Sequence, residues 1–483
     1  RCCRFVVRLA YVSEGIRFQY PSVGRVCPTH GRFSYLIPSD QYTNVDHDTD
    51  GNSGSKAGRV RTTPNPTDPF RNGIDRRRVL RSSATIGATA TLAGCLTETG
   101  QPARAPTVYV FNNGDRTLSI IDATTDELVE TVFIGTTASF PANQYGTDVD
   151  SAAETLWINV SGGIRALDKH TLNEVAAIET GFGPNYPNLT PTSEYLLTAA
   201  GGTTTIEPDP DDPANHVLVR IDADRDSETF GEVTGEIEVG YTGPCDMTLS
   251  PDGEYGFVPE IANETVAVVR VDPFEIAARI DVGEPAGDGH VLPFMSTASF
   301  DGTRLLVENG EGELGTDPDI PRRGSESIWD ISNPEEPTEL TRITRDDGLS
   351  APPITSEIGP ETDAAYLFTP EINAVTVIDL DAQAVDRELD IGGSAIAGAW
   401  GPAREKLYVP VQTANHVAVI DHGQREVSTT IETGEAPTGA VGGMIRPETS
   451  ASQRLQSSLA TLGLSIGDRE PTFCPDGNCH CEY

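Results

Sequence analysis

The sequence predicts an all-β fold, a seven-bladed β-propeller of four-stranded blades, and three observations predict it. Short segments with period-two alternation recur from residue 106 to 446, separated by polar turns. An aspartate ending one strand of each unit recurs at Asp122, Asp168, Asp222, Asp272, Asp330, Asp379 and Asp421. The first unit lacks a strand that later units have, and the repeats end on a spare copy of it. Spacings of 42–58 residues mark units that bury their apolar faces only by stacking on neighbours.

One unit reads VYVFNN at 108–113, TLSIID at 117–122 and LVETVFIG at 128–135, which gives three strands. The missing strand precedes such triplets, as in GPCDMTLSPDG at 243–253. The first unit enters directly at Val108, whereas GEAPTGAVGGMI at 434–445 has no partner downstream. This orphan is predicted to complete the first blade, which removes two exposed sheet edges at once. The pattern is weak at 286–330, where 309–326 reads as an insertion.

The formal net charge is −39, unevenly spread. Residues 1–95 hold 14 Lys+Arg and 7 Asp+Glu, and residues 96–483 hold 20 and 66. The only lysines are Lys56, Lys169 and Lys406. A carboxylate-rich, lysine-poor surface stays hydrated in strong salt, where the Debye length falls to ~3 Å. In this it resembles secreted proteins of salt-loving archaea. Such a charge excludes nucleic acid as a partner, because phosphate binding needs basic patches.

Ahead of the repeats, residues 1–74 read as a non-native or disordered upstream segment with Cys2, Cys3, Cys27 and His30 in no metal-ligand spacing. Residues 75–95 resemble a twin-arginine lipoprotein signal. Arg76 and Arg77 form the pair, with Val79 and Leu80 after them, and a weakly apolar run leads to Leu92-Ala93-Gly94-Cys95. There Cys95 would become the first mature residue and carry lipid, which implies a chain anchored on the extracellular face of the cytoplasmic membrane. Residues 96–105 read as a linker, 106–446 as the propeller, and 447–483 as a C-terminal helix and Cys-rich tail.

The repeats resemble the YVTN family of propeller repeats, whose unit runs G-x-x-P, S-P-D-G, Y-V-T-N and V-x-V-I-D. The match covers about 106–446 and is closest at 243–272, 366–379 and 407–421. The resemblance implies the ring but not one activity, because related rings include haem nitrite reductases, quinoprotein dehydrogenase subunits, lactonases and surface proteins.

In such a blade the innermost strand begins, and the second strand ends, at one rim of the central channel. Cys245 and His290 fall at the first place. Asn113, Glu260, Glu308, Glu371 and Gln412 fall at the second, with His416 nearby. Haem-binding relatives can place an axial His directly after the Pro. Here Cys245 follows Pro244, and His290 follows Gly289. A thiolate, an imidazole and carboxylates could hold copper or zinc. The competing reading is a buried Cys, an exposed His and ordinary surface carboxylates.

In the tail, Leu455, Leu459, Leu462 and Ile466 are spaced as one helix face, expected to pack on the outside or base of the ring. Beyond them stand Cys474, Cys479, His480 and Cys481. A disulfide across Pro475-Asp476-Gly477 and a copper or zinc clip stand level. A c-type haem attachment resembling C-x-x-x-x-C-H ranks below both. Asn159, Asn188 and Asn263 open glycosylation sequons.

These readings place a surface ligand-binding or protein-interaction scaffold first, with a small molecule or surface protein as partner, as a monomer that meets the membrane only through its lipid. No catalytic residue is assigned. The alternatives are a redox protein using copper or haem, like the nitrite-reductase propellers, and a lactonase-like hydrolase using Glu260, Glu308 or His290.

Overall fold

The structure is a computed structural model, and it describes residues 104–136, 138, 141–142, 154–160, 163–179, 184–201, 216–240, 246–285, 289–312 and 323–461. All lie within the compact unit Cys95–Tyr483. Arg76, Arg77, Cys95, Cys245, Cys474, Cys479, His480 and Cys481 lie outside the described residues.

The repeats form seven antiparallel blades. From the inside outward, blade 1 is Pro437–Gly443, Thr107–Asn112, Thr117–Asp122 and Glu127–Phe133. Blade 2 has Thr155–Val160, Gly163–Asp168 and Glu174–Glu179, with a Pro141↔Ile158 bridge in the innermost place. Blade 3 has Pro184–Leu189, Tyr195–Gly201, His216–Asp222 and Val233–Glu238. Blade 4 has Thr248–Leu249, Tyr255–Glu260, Thr265–Arg270 and Glu275–Asp281. Blade 5 has His290–Ala298, Arg304–Gly312, Arg323–Asp330 and Thr338–Ile343. Blade 6 has Thr355–Ile358, Ala364–Thr369, Ala374–Asp379 and Ala384–Asp390, and blade 7 has Ala399–Trp400, Lys406–Val411, His416–Asp421 and Glu426–Glu432.

Burial follows from stacking. A second strand such as Ala364–Thr369 is buried on both faces, because each face packs on a neighbouring blade. An outer strand such as Glu426–Glu432 is mostly exposed and carries the charge. The ring closes as predicted: Thr107 pairs with Gly443 and Asn112 with Pro437, and the Ala105 amide donates to Met444 O at 2.9 Å.

The recurring aspartate shapes a turn. Asp122, Asp330, Asp379 and Asp421 each accept an amide two or three residues on, at 2.8–2.9 Å. Asp122, Asp168 and Asp379 also receive Arg446, Arg225 and Arg425. Blade 4 differs. Tyr255 pairs with Arg270 there, so Arg270 holds the aspartate's place and Asp272 lies two residues beyond it.

Two further readings are corrected, and a third, the C-terminal helix, holds in place but not in the chemistry of its contact. Residues 309–326 are not wholly an insertion, because the strands Arg304–Gly312 and Arg323–Asp330 run on and pair as far as Glu311↔Arg323. The C-terminal helix forms as expected, over Ala451–Thr461, and docks on the outside of blades 1 and 2 through polar groups: Ser457 Oγ accepts the Phe133 amide at 2.7 Å, and Gln453 donates to Thr171 O at 2.9 Å. Leu455, expected in the contact, is 61% exposed. Asn159 and Asn188 are buried in strands, which removes them as glycosylation sites of the folded chain.

Candidate functional site at the inner walls of blades 3 to 6

The inner segments are tied to one another in sequence around the ring. Asn188 Nδ2 donates to Met247 O at 2.7 Å, and the Ser296 amide to Asp246 Oδ2 at 2.7 Å. Thr297 Oγ1 donates to Ser356 O at 2.9 Å, and Thr355 Oγ1 to Ile396 O at 2.6 Å. Ile261, Leu292, Phe294, Met295, Ile354 and Ile396 converge in one apolar group, with Tyr186 packed against it. Blades 3 to 7 therefore all contribute to that group.

Blade 5 breaks the repeat here. Counting in register from the start of the second strand, the fifth residue and its third-strand partner are Phe111–Leu118, Asn159–Ile164, Ala199–Leu218, Pro259–Val266, Phe368–Val375 and Pro410–Val417 in the other blades. In each of those pairs the third-strand member is Leu, Ile or Val. In blade 5 the pair is Glu308–Glu326, and both residues are fully buried. They lie on the face that carries Leu306 and Ile328 into the apolar seam with blade 6. Cross-strand neighbours sit about 5 Å apart at Cβ, so two carboxyl groups are held side by side.

None of the four carboxylate oxygens of this pair has a hydrogen-bond partner, and neither does Asp246 Oδ1. Burial pushes Glu308 up to about 7, and Ser356, facing it from blade 6, offsets part of that rise. Glu326 is raised well above the usual carboxyl range by burial and then by the charge of Glu308. Asp246 is raised by burial and by Glu308, against the Ser296 amide that lowers it. The Tyr186 phenol is pushed up by burial and by the charges of Asp246, Glu357 and Glu308. Every charge acting on Asp246, Glu326 and Tyr186 is negative, so the group favours a positive occupant.

The residues singled out in the sequence hold separate local contacts. Glu260 ends its strand buried, with Arg279 at 2.9 Å and the Thr265 hydroxyl at 2.7 Å. Glu308 stands one register place earlier than Glu260 and so faces the other side of its blade. Glu371 lies in a short turn beyond its strand and is exposed. His290, half-exposed, pairs with Glu264, and His416 Nε2 meets Ile391 O at 2.9 Å. The expected shared rim is thus resolved into different register places, and Glu308 alone of these five belongs to the buried acidic group among the described residues.

Asp246, Glu326, Tyr186 and Ser356 were missed. For Glu326 a signal existed: SESIWD at 325–330 carries a charge where VTVID and VAVID are apolar. A second missed group lies at the opposite end of the blades. Glu361, Asp363 and His422 bring one ligand atom each within 4.8 Å of one another. His422 Nε2 lies 2.9 Å from Glu361 and 3.3 Å from Asp363, and its Nδ1 lies 2.7 Å from the Tyr366 hydroxyl. Such donors suit zinc, but Arg425 already meets Asp363 at 2.9 Å, so the arrangement also works as an ion-paired latch between blades 6 and 7. His422 occupies the slot after the turn aspartate. That slot holds Ala123, Ala223, Val271, Ile331 and Leu380 in blades 1, 3, 4, 5 and 6, and the buried Lys169 in blade 2.

No protein-family model matches the chain, and no curated protein matches it in sequence. Solved structures do resemble it. A Kuenenia stuttgartiensis hydrazine synthase chain matches with a TM-score of 0.52 at 15% identity, covering 69% of this chain and 99% of that one. A Pseudomonas aeruginosa periplasmic gluconolactonase matches with a TM-score of 0.51 at 14% identity, covering 70% and 99%. A protein from Lactobacillus plantarum matches with a TM-score of 0.50 at 12% identity, over 70% and 99%. At these identities the likeness is one of fold: a seven-bladed ring resembling YVTN and lactonase-type propellers.

Proposed function

We propose that this chain is a binding propeller, exported by the twin-arginine route and anchored through lipid on Cys95, that holds a positively charged ligand at the inner walls of blades 3 to 6. The observation that carries the reading is the Glu308–Glu326 pair, a buried acidic pair where the other blades place an aliphatic side chain. Uncompensated buried charge costs several kcal/mol per ion, so a fold keeps it only where something offsets it. The Arg76-Arg77 pair and the Leu92–Cys95 box support the anchored location, and the lysine-poor acidic surface supports a high-salt exterior.

Calorimetric titration with small organic ammonium ions and metal ions tests the binding. Wild type is expected to bind, and Asp246→Asn to bind at least tenfold more weakly. Equal heats from both would sink the reading. Fractionation tests the anchor: Cys95→Ala should move the protein from the membrane to the soluble fraction. A second reading, a lactonase-like hydrolase, is favoured by the rise of Glu308 to about 7, where a carboxyl can take and return a proton near neutrality. Loss of sugar-lactone turnover in Glu308→Gln would support it.

A further inference from the structure

We propose that the Glu308–Glu326 pair is a site for a hard divalent cation, calcium by preference, held in the seam between blades 5 and 6. The inference rests on the binding reading and names the occupant of its blade 5 wall. Glu308 and Glu326 are opposite one another in register, fully buried, on the face turned to blade 6. Their four carboxylate oxygens are without close hydrogen-bond partners, and the Ser356 hydroxyl faces Glu308 across the seam. Four bare carboxylate oxygens on blade 5 and the facing Ser356 hydroxyl on blade 6 form a donor set with no nitrogen or sulfur among them. Calcium takes six to eight oxygens at about 2.3–2.6 Å in loose geometry and accepts bidentate carboxylates, whereas magnesium demands a tighter octahedron.

A shared proton is the rival way to hold two buried carboxylates together. It would bridge one oxygen of each, leave the outer two bare, and leave one negative charge beside Asp246, itself buried with a bare Oδ1. A divalent ion serves all four oxygens and neutralises the pair. The rest of the seam, away from the inner wall, is apolar: Leu306, Ile328, Ile343 and Leu367 pack there.

The test compares the full chain with Glu308→Phe/Glu326→Leu, which restores the pair found in blade 1. A second variant, Glu308→Gln/Glu326→Gln, keeps the shape. Each protein is saturated with calcium, freed of excess by gel filtration, and analysed for bound metal. Thermal unfolding follows, in calcium and in chelator. Wild type should retain about one calcium per chain, and its midpoint should rise by about 3–6 °C in calcium over chelator. Both variants should retain none and show no calcium-dependent rise, and the Phe/Leu variant should exceed wild type in chelator. Equal calcium retention by all three, which surface carboxylates alone would give, overturns the proposal. So does a wild-type midpoint that moves with pH near neutrality but not with calcium, the mark of a shared proton. Either result leaves the ammonium-ion titration standing on its own.

Discussion

The seams on the two sides of blade 6 use the same register and distribute polarity in opposite ways. Between blades 5 and 6, the end toward the predicted ligand rim carries Glu308 and Glu326, and the rest is aliphatic from Leu306 to Leu380. Between blades 6 and 7, the equivalent places hold Phe368 and Val375 within an apolar cluster. The polar groups there sit at the other end, where His422 meets Tyr366 and Glu361 and lies edge-on to Trp400. Repeats make such differences interpretable. Seven copies of one packing problem show which side chains the ring requires, and a copy that departs at a cost marks where another demand acts.

The sharpest way to break the comparison is to exchange the seams. Phe368→Glu/Val375→Glu places the blade 5 pair where no facing group is arranged to receive it. It should destabilise by more than about 4 kcal/mol, or prevent folding, as followed by denaturant unfolding in high salt. If it were tolerated as well as the native pair, blade 5 would lose its claim to be special.

A smaller effect concerns Lys169, fully buried with an unpartnered Nζ in the slot that is apolar in five blades. Burial lowers it to about 8. Between about 8 and its unfolded value near 10.4, the unfolded chain binds the proton that the folded one has released, so stability rises with pH across that window. At pH 7 the lysine is charged in both states and costs on the order of 3 kcal/mol. Lys169→Met should recover much of that at pH 7 and flatten the pH 8–10 profile, measured by urea midpoints.

The smallest effect sharpens the 6–7 seam. His422→Leu copies Leu380 of blade 6 but strands the Tyr366 hydroxyl, and should cost about 1–2 kcal/mol. Adding Tyr366→Phe should restore about 1 kcal/mol, a coupling measurable in a double-mutant cycle.

The ring itself was legible because it is written repeatedly. The spare strand at 434–445, the turn aspartates and the blade number all follow from patterns that backbone pairing and stacking enforce in every copy. Arg270 was harder to place, since Asp272 lies only two residues on and period-two patterning does not distinguish them. The acidic site was half legible. Glu308 could be selected as a residue near a strand end, but Glu260, Glu308 and Glu371 looked equivalent when they occupy three different places. A shift of one residue turns a side chain to the other face of a sheet, and sequence spacing alone left that shift open at 286–330. Glu361, Asp363 and His422 meet across a seam between turns more than fifty residues apart, and no local pattern encodes such a meeting.

The way the ring is fastened has a mechanical side. Residues 107–112 and 437–443, nearly the first and last of the repeats, lie against each other in one blade. A pull between the two ends of the propeller is therefore carried first by that single antiparallel pairing, like a belt held at its buckle. Arg446 on Asp122 and the helix seated on Phe133 act as keepers beside it. While the buckle holds, the six other blades bear no load, and once it slips nothing but their stacking keeps the chain from paying out blade by blade.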